Sequence, residues 1–320
     1  MRMSLLHHRG PGLWAIPLLG LLAALPALLT AFGMEFYIGV ASRVLIFAIA
    51  ASSLNLILGF GGMVSFGHAA FVGLGAYTVA ILMDAGITSA WVTWPAACAV
   101  SALAAALIGA ISLRTRGVYF IMITLAFAQM FYYLVISLKA YGGDDGLPLL
   151  QRSTLLGLEL KSDPQFYWLL LAIAAAVMFG LQRLINSPFG RLLQGIKENE
   201  QRMSAVGTRV FAVQWQAFIV AGALAGLAGA LLANLNGLVT PHMLHWSQSG
   251  QLMIMVIIGG AGALWGGVIG ALTLLLLEEL LAGVTLHWQL VLGLLLLGVV
   301  LFAPRGLAGL VGKRGGKNGD

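Results

Sequence analysis

Charged and apolar residues alternate at helical spacing in the segment 187–207, SPFGRLLQGIKENEQRMSAVG. Ser187 followed by Pro188 is typical of a helix start, because serine accepts hydrogen bonds from free amides and proline needs no N–H donor in the first turn. Gly207 is typical of a helix end, because glycine adopts the left-handed conformation without strain. The segment therefore predicts a helix whose charged face would suit a partner protein. Its charged residues are Arg191, Lys197, Glu198, Glu200 and Arg202.

The same predicted helix has an apolar face, because Leu192, Ile196 and Met203 recur at spacings of four and seven residues. This face would press against either a soluble partner or the protein's own membrane surface. Basic amphipathic segments are common in the loops between membrane spans. The spacing alone therefore leaves both interpretations open.

Two glycine clusters interrupt apolar stretches, and we name them the first glycine junction (59–67) and the second glycine junction (258–267). Broken helices in corresponding positions of two halves commonly frame a transport pathway, since freed backbone groups are tolerated only where protein or water satisfies them. Close packing of small residues explains the glycines equally well. The candidate pathway glycines are Gly61, Gly62, Gly259 and Gly260.

Polar side chains beside the first glycine junction are candidates to contact a solute. They are Asn55, Ser65 and His68, with Thr124 and Gln129 further along the chain. His68 is the one ionisable residue that we place deep in an apolar run, where such groups often serve transport. Interhelical hydrogen bonds are the alternative role for all of these residues.

Little else in the sequence offers chemistry. His242 and His245 are spaced like a pair of metal ligands, but no third ligand is evident near them. Lys313 is followed by Arg314, where a phosphate-binding loop requires serine or threonine. We therefore predict no catalytic residue, no metal site and no cofactor bound by this chain. An intramembrane enzyme built on His68 is the weakest alternative, because it lacks a partner nucleophile.

Composition predicts an all-α polytopic membrane protein with a single transmembrane domain over 1–320. Hydrophobic residues make up 60% of the chain and charged residues 9%. Apolar runs of about 20 residues, the length that crosses a bilayer, repeat from end to end. The net charge of +6 does not indicate nucleic acid, because the basic residues sit in short loops beside spans rather than on one soluble face. We therefore expect the chain to be surrounded by membrane lipid.

Eight spans are predicted directly, and we expect about ten in total. The direct ones are 14–32, 38–58, 63–83, 91–112, 117–138, 166–185, 211–233 and 286–303. The glycine-broken stretch 247–282 must contribute an even number of crossings if the basic tail is to lie inside, so we interpret it as two short crossings rather than a re-entrant hairpin. This topology places the loop 139–165 outside and both the N- and C-termini in the cytoplasm. Separately, the weak echo between the two glycine clusters indicates two repeated halves. Of the 17 Lys and Arg residues, only Arg43, Lys139, Arg152 and Lys161 then lie outside.

Four runs along the chain together resemble the permease subunits of branched-chain amino acid ABC importers. They are SLNLILGFGGMVSFGHAAFVGLGAY (53–77), SPFGRLLQGIKENEQRMSAVG (187–207), AFIVAGALAGLAGALLA (217–233) and MVIIGGAGALWGGVIGA (255–271). The resemblance implies a bacterial plasma (inner) membrane importer. Its other parts would be a second permease, expected to be a paralogue, two cytoplasmic ATPases that bind ATP and Mg, and a periplasmic or surface solute-binding protein.

In the family that the chain resembles, the loop matching 198–207 docks into the ATPase. Glu200 and Gly207 fit the family pattern, whereas Gln201 and Arg202 replace smaller apolar residues. The resemblance implies import of a branched-chain or related amino acid by alternating access. The same machinery for urea or another small solute is one alternative. A stand-alone channel or facilitator is another, although a passive pore would not need the helix 187–207.

Overall fold

Helices dominate the structure because the apolar stretches are long and only glycines and short polar turns interrupt them. The computed structural model describes residues 15–155, 158–159, 162–284, 287–302 and 306–307. The helices are α1 (Ala15–Ala31), α2 (Phe36–Asn55), α3 (His68–Asp84), α4 (Ala90–Ser112), α5 (Val118–Ser137), α6 (Asp163–Asn186), α7 (Pro188–Glu198), α8 (Glu200–Ala205), α9 (Val210–Asn236), α10 (Trp246–Gly259), α11 (Gly266–Val284) and α12 (Trp288–Phe302). A π-helical turn, Leu56–Phe60, extends α2, and 3-10 turns lie at Lys139–Tyr141 and Pro241–Leu244.

Within the described residues, six helices are long and apolar enough to cross a membrane. They are α2 with its π-helical extension, α4, α5, α6, α9 and α11. The chain is therefore a multi-pass helical membrane protein, as composition predicts. The predicted count of about ten spans and the two repeated halves are not confirmed. The basic tail that fixed the predicted orientation, Arg305, Lys313, Arg314 and Lys317, lies outside the described residues.

The stretch 247–282 forms a helical hairpin of unequal arms. α10 has 14 residues and is about 21 Å long, short of the roughly 30 Å of bilayer hydrocarbon. α11 has 19 residues and is one of the candidate spans. Gln251 on α10 donates a hydrogen bond to the carboxylate of Glu278 on α11 at 2.9 Å, which holds the open end of the hairpin together.

Small residues allow α9 to pack closely against α3 and α4 at the centre of the bundle. A Cβ added at Gly229 would overlap the carbonyl oxygen of Val72, and one added at Gly226 would overlap the Ser101 side chain. Large side chains fill the neighbouring space, since the ring of Phe218 meets that of Phe71 edge-on at 5.5 Å. The glycines of α9 therefore serve helix packing.

Hydrogen bonds between loops define the two ends of the bundle. At the end of the bundle away from α7, which we call the far end, β1 (Leu147–Pro148) pairs antiparallel with β4 (Leu238–Val239). A second hairpin there joins β2 (Thr154–Leu155) to β3 (Leu158–Glu159), within the predicted external loop 139–165. The opposite end, which we call the α7 end, carries α7, α8, the first glycine junction and the α4–α5 turn (113–117).

Candidate functional site

The predicted helix 187–207 is two helices, so the prediction of a single helix is wrong. Ser187 begins α7 as predicted, because its Oγ accepts a hydrogen bond from the amide of Gly190 at 3.3 Å. Asn199 then breaks the segment with extended backbone angles (φ −158°, ψ 100°), and its Oδ1 caps α8 by accepting from the amide of Arg202 at 2.8 Å. Gly207 ends α8 with φ +90°, the left-handed conformation that favours glycine.

The apolar face of α7 is rotated from its predicted position. Leu193 and Ile196 are buried, with 0% and 3% of their surface exposed, whereas Leu192 lies on the exposed side. Leu193 contacts the first glycine junction, since a Cβ added at Gly61 would lie 3.4 Å from its Cδ1. Met203 on α8 folds back towards Gly195 of α7. The face therefore packs against the protein itself.

The charged residues of α7 and α8 separate into two groups. Arg191, Glu198 and Arg202 are exposed. Lys197 is also exposed as a residue, but its Nζ donates a hydrogen bond to the carbonyl oxygen of Gly59 at 2.6 Å. Glu200 forms an ion pair with Arg116 of the α4–α5 turn at 2.8 Å, and the side chain of that arginine is 74% exposed.

The first glycine junction is a true interruption of the helical structure. α2 ends in its π-helical turn, residues 62–67 are non-helical, and α3 begins only at His68 rather than at the predicted position 63. π-helical turns occur often at functional sites. Gly62 has φ +70° and lies against the stem of Lys197, with 3.0 Å between an added Cβ and the lysine Cγ. The junction thus touches α7 directly.

The second glycine junction meets the first. Asn55 makes both connections: its Oδ1 accepts from the amide of Gly262 at 2.9 Å, and its Nδ2 donates to the carbonyl of Ala263 at 2.7 Å. Gly259 ends α10 and approaches Gly266 of α11 so closely that an added Cβ would overlap the Gly266 carbonyl. Gly260 follows with φ +111°. Both predicted interruptions therefore lie in one place.

Three of the remaining candidate pathway residues, His68, Ser65 and Thr124, are buried and already hydrogen-bonded. The Nε2 of His68 lies 2.8 Å from the Oγ of Ser53, and its Nδ1 has no hydrogen-bond partner among the described residues. Ser65 Oγ accepts from the amide of Gly67 at 3.2 Å, and Thr124 Oγ1 accepts from the amide of Phe66 at 3.3 Å. Gln129 is half-buried on α5. These bonds favour the structural role that the sequence also allowed.

A cavity of about 310 Å³ opens at the α7 end between the first glycine junction and α7. Polar lining residues come from the α4–α5 turn, α7, α8 and α9, and they are Thr115, Arg116, Lys197, Glu198, Asn199, Glu200 and Gln214. Sequence reasoning missed Arg116. Its charge is opposite to that of Glu200, but nothing in the sequence pairs residues so far apart.

At the far end, the rings of His242 and His245 stack with their centroids 5.9 Å apart. The Nδ1 of His242 lies 3.3 Å from the Nε2 of Gln248, and the Nδ1 of His245 lies 2.8 Å from Ser247 Oγ. Among the described residues, no group of three potential metal ligands occurs here or elsewhere. Both histidines therefore have local hydrogen-bond partners in this loop.

Many transporters place broken helices beside the solute pathway. In this bundle two helix interruptions meet near a polar cavity at one end. Over residues 36–303 the chain matches the protein family described as "Branched-chain amino acid transport system / permease component". The chain belongs to this family and is a permease subunit of this class of ABC importer.

Individual relatives agree with the family match. The chain is 28% identical to the high-affinity branched-chain amino acid transport system permease protein LivM of Salmonella typhimurium, over 84% of this chain and 69% of that protein, and equally to LivM of Escherichia coli K12. It is 24% identical to the corresponding LivH protein of Salmonella typhimurium, over 82% of this chain and 91% of that protein. No solved structure matches the chain.

Proposed function

We propose that this chain and a second permease subunit move a branched-chain or related amino acid inward across a bacterial inner membrane. LivM and LivH, both similar to this chain, are each named as permease proteins of high-affinity branched-chain amino acid transport systems. Their names support both the solute class and a pair of unlike permeases. A periplasmic or surface solute-binding protein would deliver the solute at the far end. The chain itself would bind no cofactor, since ATP and Mg would occupy two separate cytoplasmic ATPase subunits.

The contact between α7 and the first glycine junction is the observation that carries this proposal. Arg191, Glu198 and Arg202 face outward and are available to an ATPase subunit, while the other side of α7 rests on the junction through Leu193. A partner that moves α7 would therefore act directly on the interruption of the bundle. Gly207 would set the direction in which the chain leaves α8 and enters α9.

The solute would pass beside the two glycine junctions, where the cavity opens towards the α7 end. Gly61 and Gly62 line this cavity. The other proposed pathway residues are buried behind it, and they are Asn55, Ser65, His68, Gly259 and Gly260. Freed backbone groups at such interruptions offer hydrogen bonds to a zwitterion, which apolar helices do not. The α7 end would be cytoplasmic, because basic residues concentrate there as the positive-inside rule requires, and both termini would lie on that side.

Reconstitution in proteoliposomes tests this proposal. The chain is purified with its second permease, its ATPase subunits and its binding protein, and uptake of radiolabelled leucine and urea is measured in parallel. We expect leucine uptake that requires both ATP and the binding protein. Uptake without ATP would favour a facilitator, and ATP-dependent uptake of urea but not leucine would contradict the solute class.

A further inference from the structure

Lys197 differs from Arg191 and Glu198 on α7 because its side chain is held at both its stem and its ammonium group. The Nζ donates to the Gly59 carbonyl at 2.6 Å. The stem passes beside Gly62, where an added Cβ would lie 3.0 Å from the lysine Cγ and 3.5 Å from its Cβ. Any residue larger than glycine at 62 would displace the stem. The first glycine junction and Lys197 therefore fit each other.

The Gly59 carbonyl lies at the C-terminal end of the π-helical turn, where backbone oxygens lack helical partners and carry partial negative charge. The amides of residues 61–63 return to carbonyls of residues 56–58, whereas the Gly59 oxygen accepts from Lys197. A hydrogen bond from a charged donor is roughly twice as strong as one between neutral groups. Lys197 thus fixes this helix end to α7.

Asn55 extends the connection to the second glycine junction. It lies one helical turn before Gly59 and binds the backbone of Gly262 and Ala263. The two junctions are in direct contact, since a Cβ added at Gly262 would lie 3.1 Å from the Gly59 oxygen and 3.7 Å from the Nζ of Lys197. Both glycine junctions therefore lie against the Gly59 carbonyl, which accepts the hydrogen bond from Lys197.

We propose that Lys197 is a positioning residue that transmits movement of α7 to both glycine junctions. This inference rests on the proposed function, in which ATPase subunits move α7. A displacement of α7 by more than about 1 Å would stretch the hydrogen bond beyond its working range unless Gly59 moved with it. Leaving the carbonyl unpaired is costly, so Gly59 follows α7, and Asn55 carries the second junction along.

Docking and transmission are therefore separate tasks on the same helix. Arg191 and Glu198 are exposed and serve docking, while Lys197 binds the Gly59 carbonyl and serves transmission. Lys197→Met keeps an unbranched stem against Gly62 and removes the ammonium group. It should leave the ATPase subunits bound while disconnecting them from the junctions, whereas Arg191→Met should weaken their binding.

Cysteine accessibility in the assembled complex tests the inference. Val64 lines the cavity at the first glycine junction, so Val64→Cys in a Cys98→Ala background reports on the junction. The rate of alkylation by a maleimide is measured without nucleotide and with ATP and vanadate. We expect the two rates to differ by about fivefold or more with Lys197 present, to become equal in Lys197→Met, and to differ again in Lys197→Arg. ATPase co-purification should be the same in all three.

A parental rate difference and parental uptake in Lys197→Met would overturn the inference. Loss of ATPase co-purification in that variant would also overturn it, because Lys197 would then belong to the docking surface. If Lys197→Met does not accumulate, Lys197→Gln replaces it, because the shorter glutamine side chain does not reach the Gly59 carbonyl. A parental rate difference in Lys197→Gln would contradict the inference equally. Failure of the proposed function would show separately, as absence of ATPase co-purification with the parental chain, and the inference would fall with it.

Discussion

Asn55→Ala should disconnect the two glycine junctions while leaving the helices intact. The side chain is 1% exposed and its two hydrogen bonds join residues that are distant in the chain. In membrane proteins, a hydrogen bond between buried groups contributes about 0.6 kcal/mol on average and up to about 1.7 kcal/mol. Losing two should therefore lower the free energy of unfolding by about 1–3 kcal/mol. Solute-stimulated ATP hydrolysis and uptake should fall by about tenfold or more, because the second junction no longer follows the first.

Asn234 offers a matched control for the stability effect. It is also a buried asparagine with two side-chain hydrogen bonds: its Oδ1 accepts from the amide of Ser153 at 2.6 Å, and its Nδ2 donates to the Ala230 carbonyl at 2.8 Å. It lies at the far end of the bundle, away from both junctions. Asn234→Ala should therefore lose similar stability but keep solute-stimulated ATP hydrolysis.

Both variants are assayed by thermal denaturation of the purified complex and by uptake well below the lower of the two melting temperatures. Equal uptake by the two variants, at equal amounts of folded protein, would refute the reasoning. It would mean that the Asn55 hydrogen bonds contribute stability alone.

Further predictions concern the glycines and the orientation. Gly62→Leu should abolish uptake without reducing membrane insertion, because the leucine would meet the stem of Lys197 and would be strained at a φ of +70°. The control Gly180→Leu, in open space on α6, should leave uptake unchanged. Gly229→Leu should lower the amount of folded protein measured by fluorescence-detected size-exclusion chromatography, because the added side chain would overlap the backbone of α3. Cysteine placed at Asp145 should react with an impermeant thiol reagent in intact cells, whereas cysteine at Glu198 should not, in a background without the native cysteine; the reverse pattern would invert the proposed topology.

Local signals in the sequence predicted local structure well. The Ser187 cap is confirmed because it depends only on neighbouring residues, and the same is true of the left-handed Gly207. The break at Asn199 was missed because asparagine inside a predicted helix gives a weak signal, and its capping of α8 becomes evident only once the helix has ended. The facing of α7 was misjudged for a different reason. Leu192 and Leu193 are both apolar, and the position of the bundle decides which of them is buried.

Contacts between residues distant in the chain could not be predicted from the sequence. The two glycine clusters were predicted as separate interruptions, but their meeting through Asn55 depends on how α2 packs against the α10–α11 hairpin. The hydrogen bond from Lys197 to Gly59 was equally hidden, because charge and spacing grouped Lys197 with Glu198 and Arg202. A hydrogen bond across more than a hundred residues leaves no periodic trace in one sequence.

The most direct test of the central claim, that α7 and α8 couple an ATPase to the membrane helices, is ATPase co-purification measured together with uptake. Glu200→Arg would turn the ion pair with Arg116 into a repulsion, and Gly207→Val would place a β-branched residue at φ +90°, a strain of about 1–3 kcal/mol. We expect both variants to be membrane-inserted at normal abundance, to lose uptake and to retain less ATPase, whereas a charge reversal at the far end, Glu35→Arg, should have neither effect. Wild-type uptake and full ATPase co-purification in both variants would contradict the coupling role.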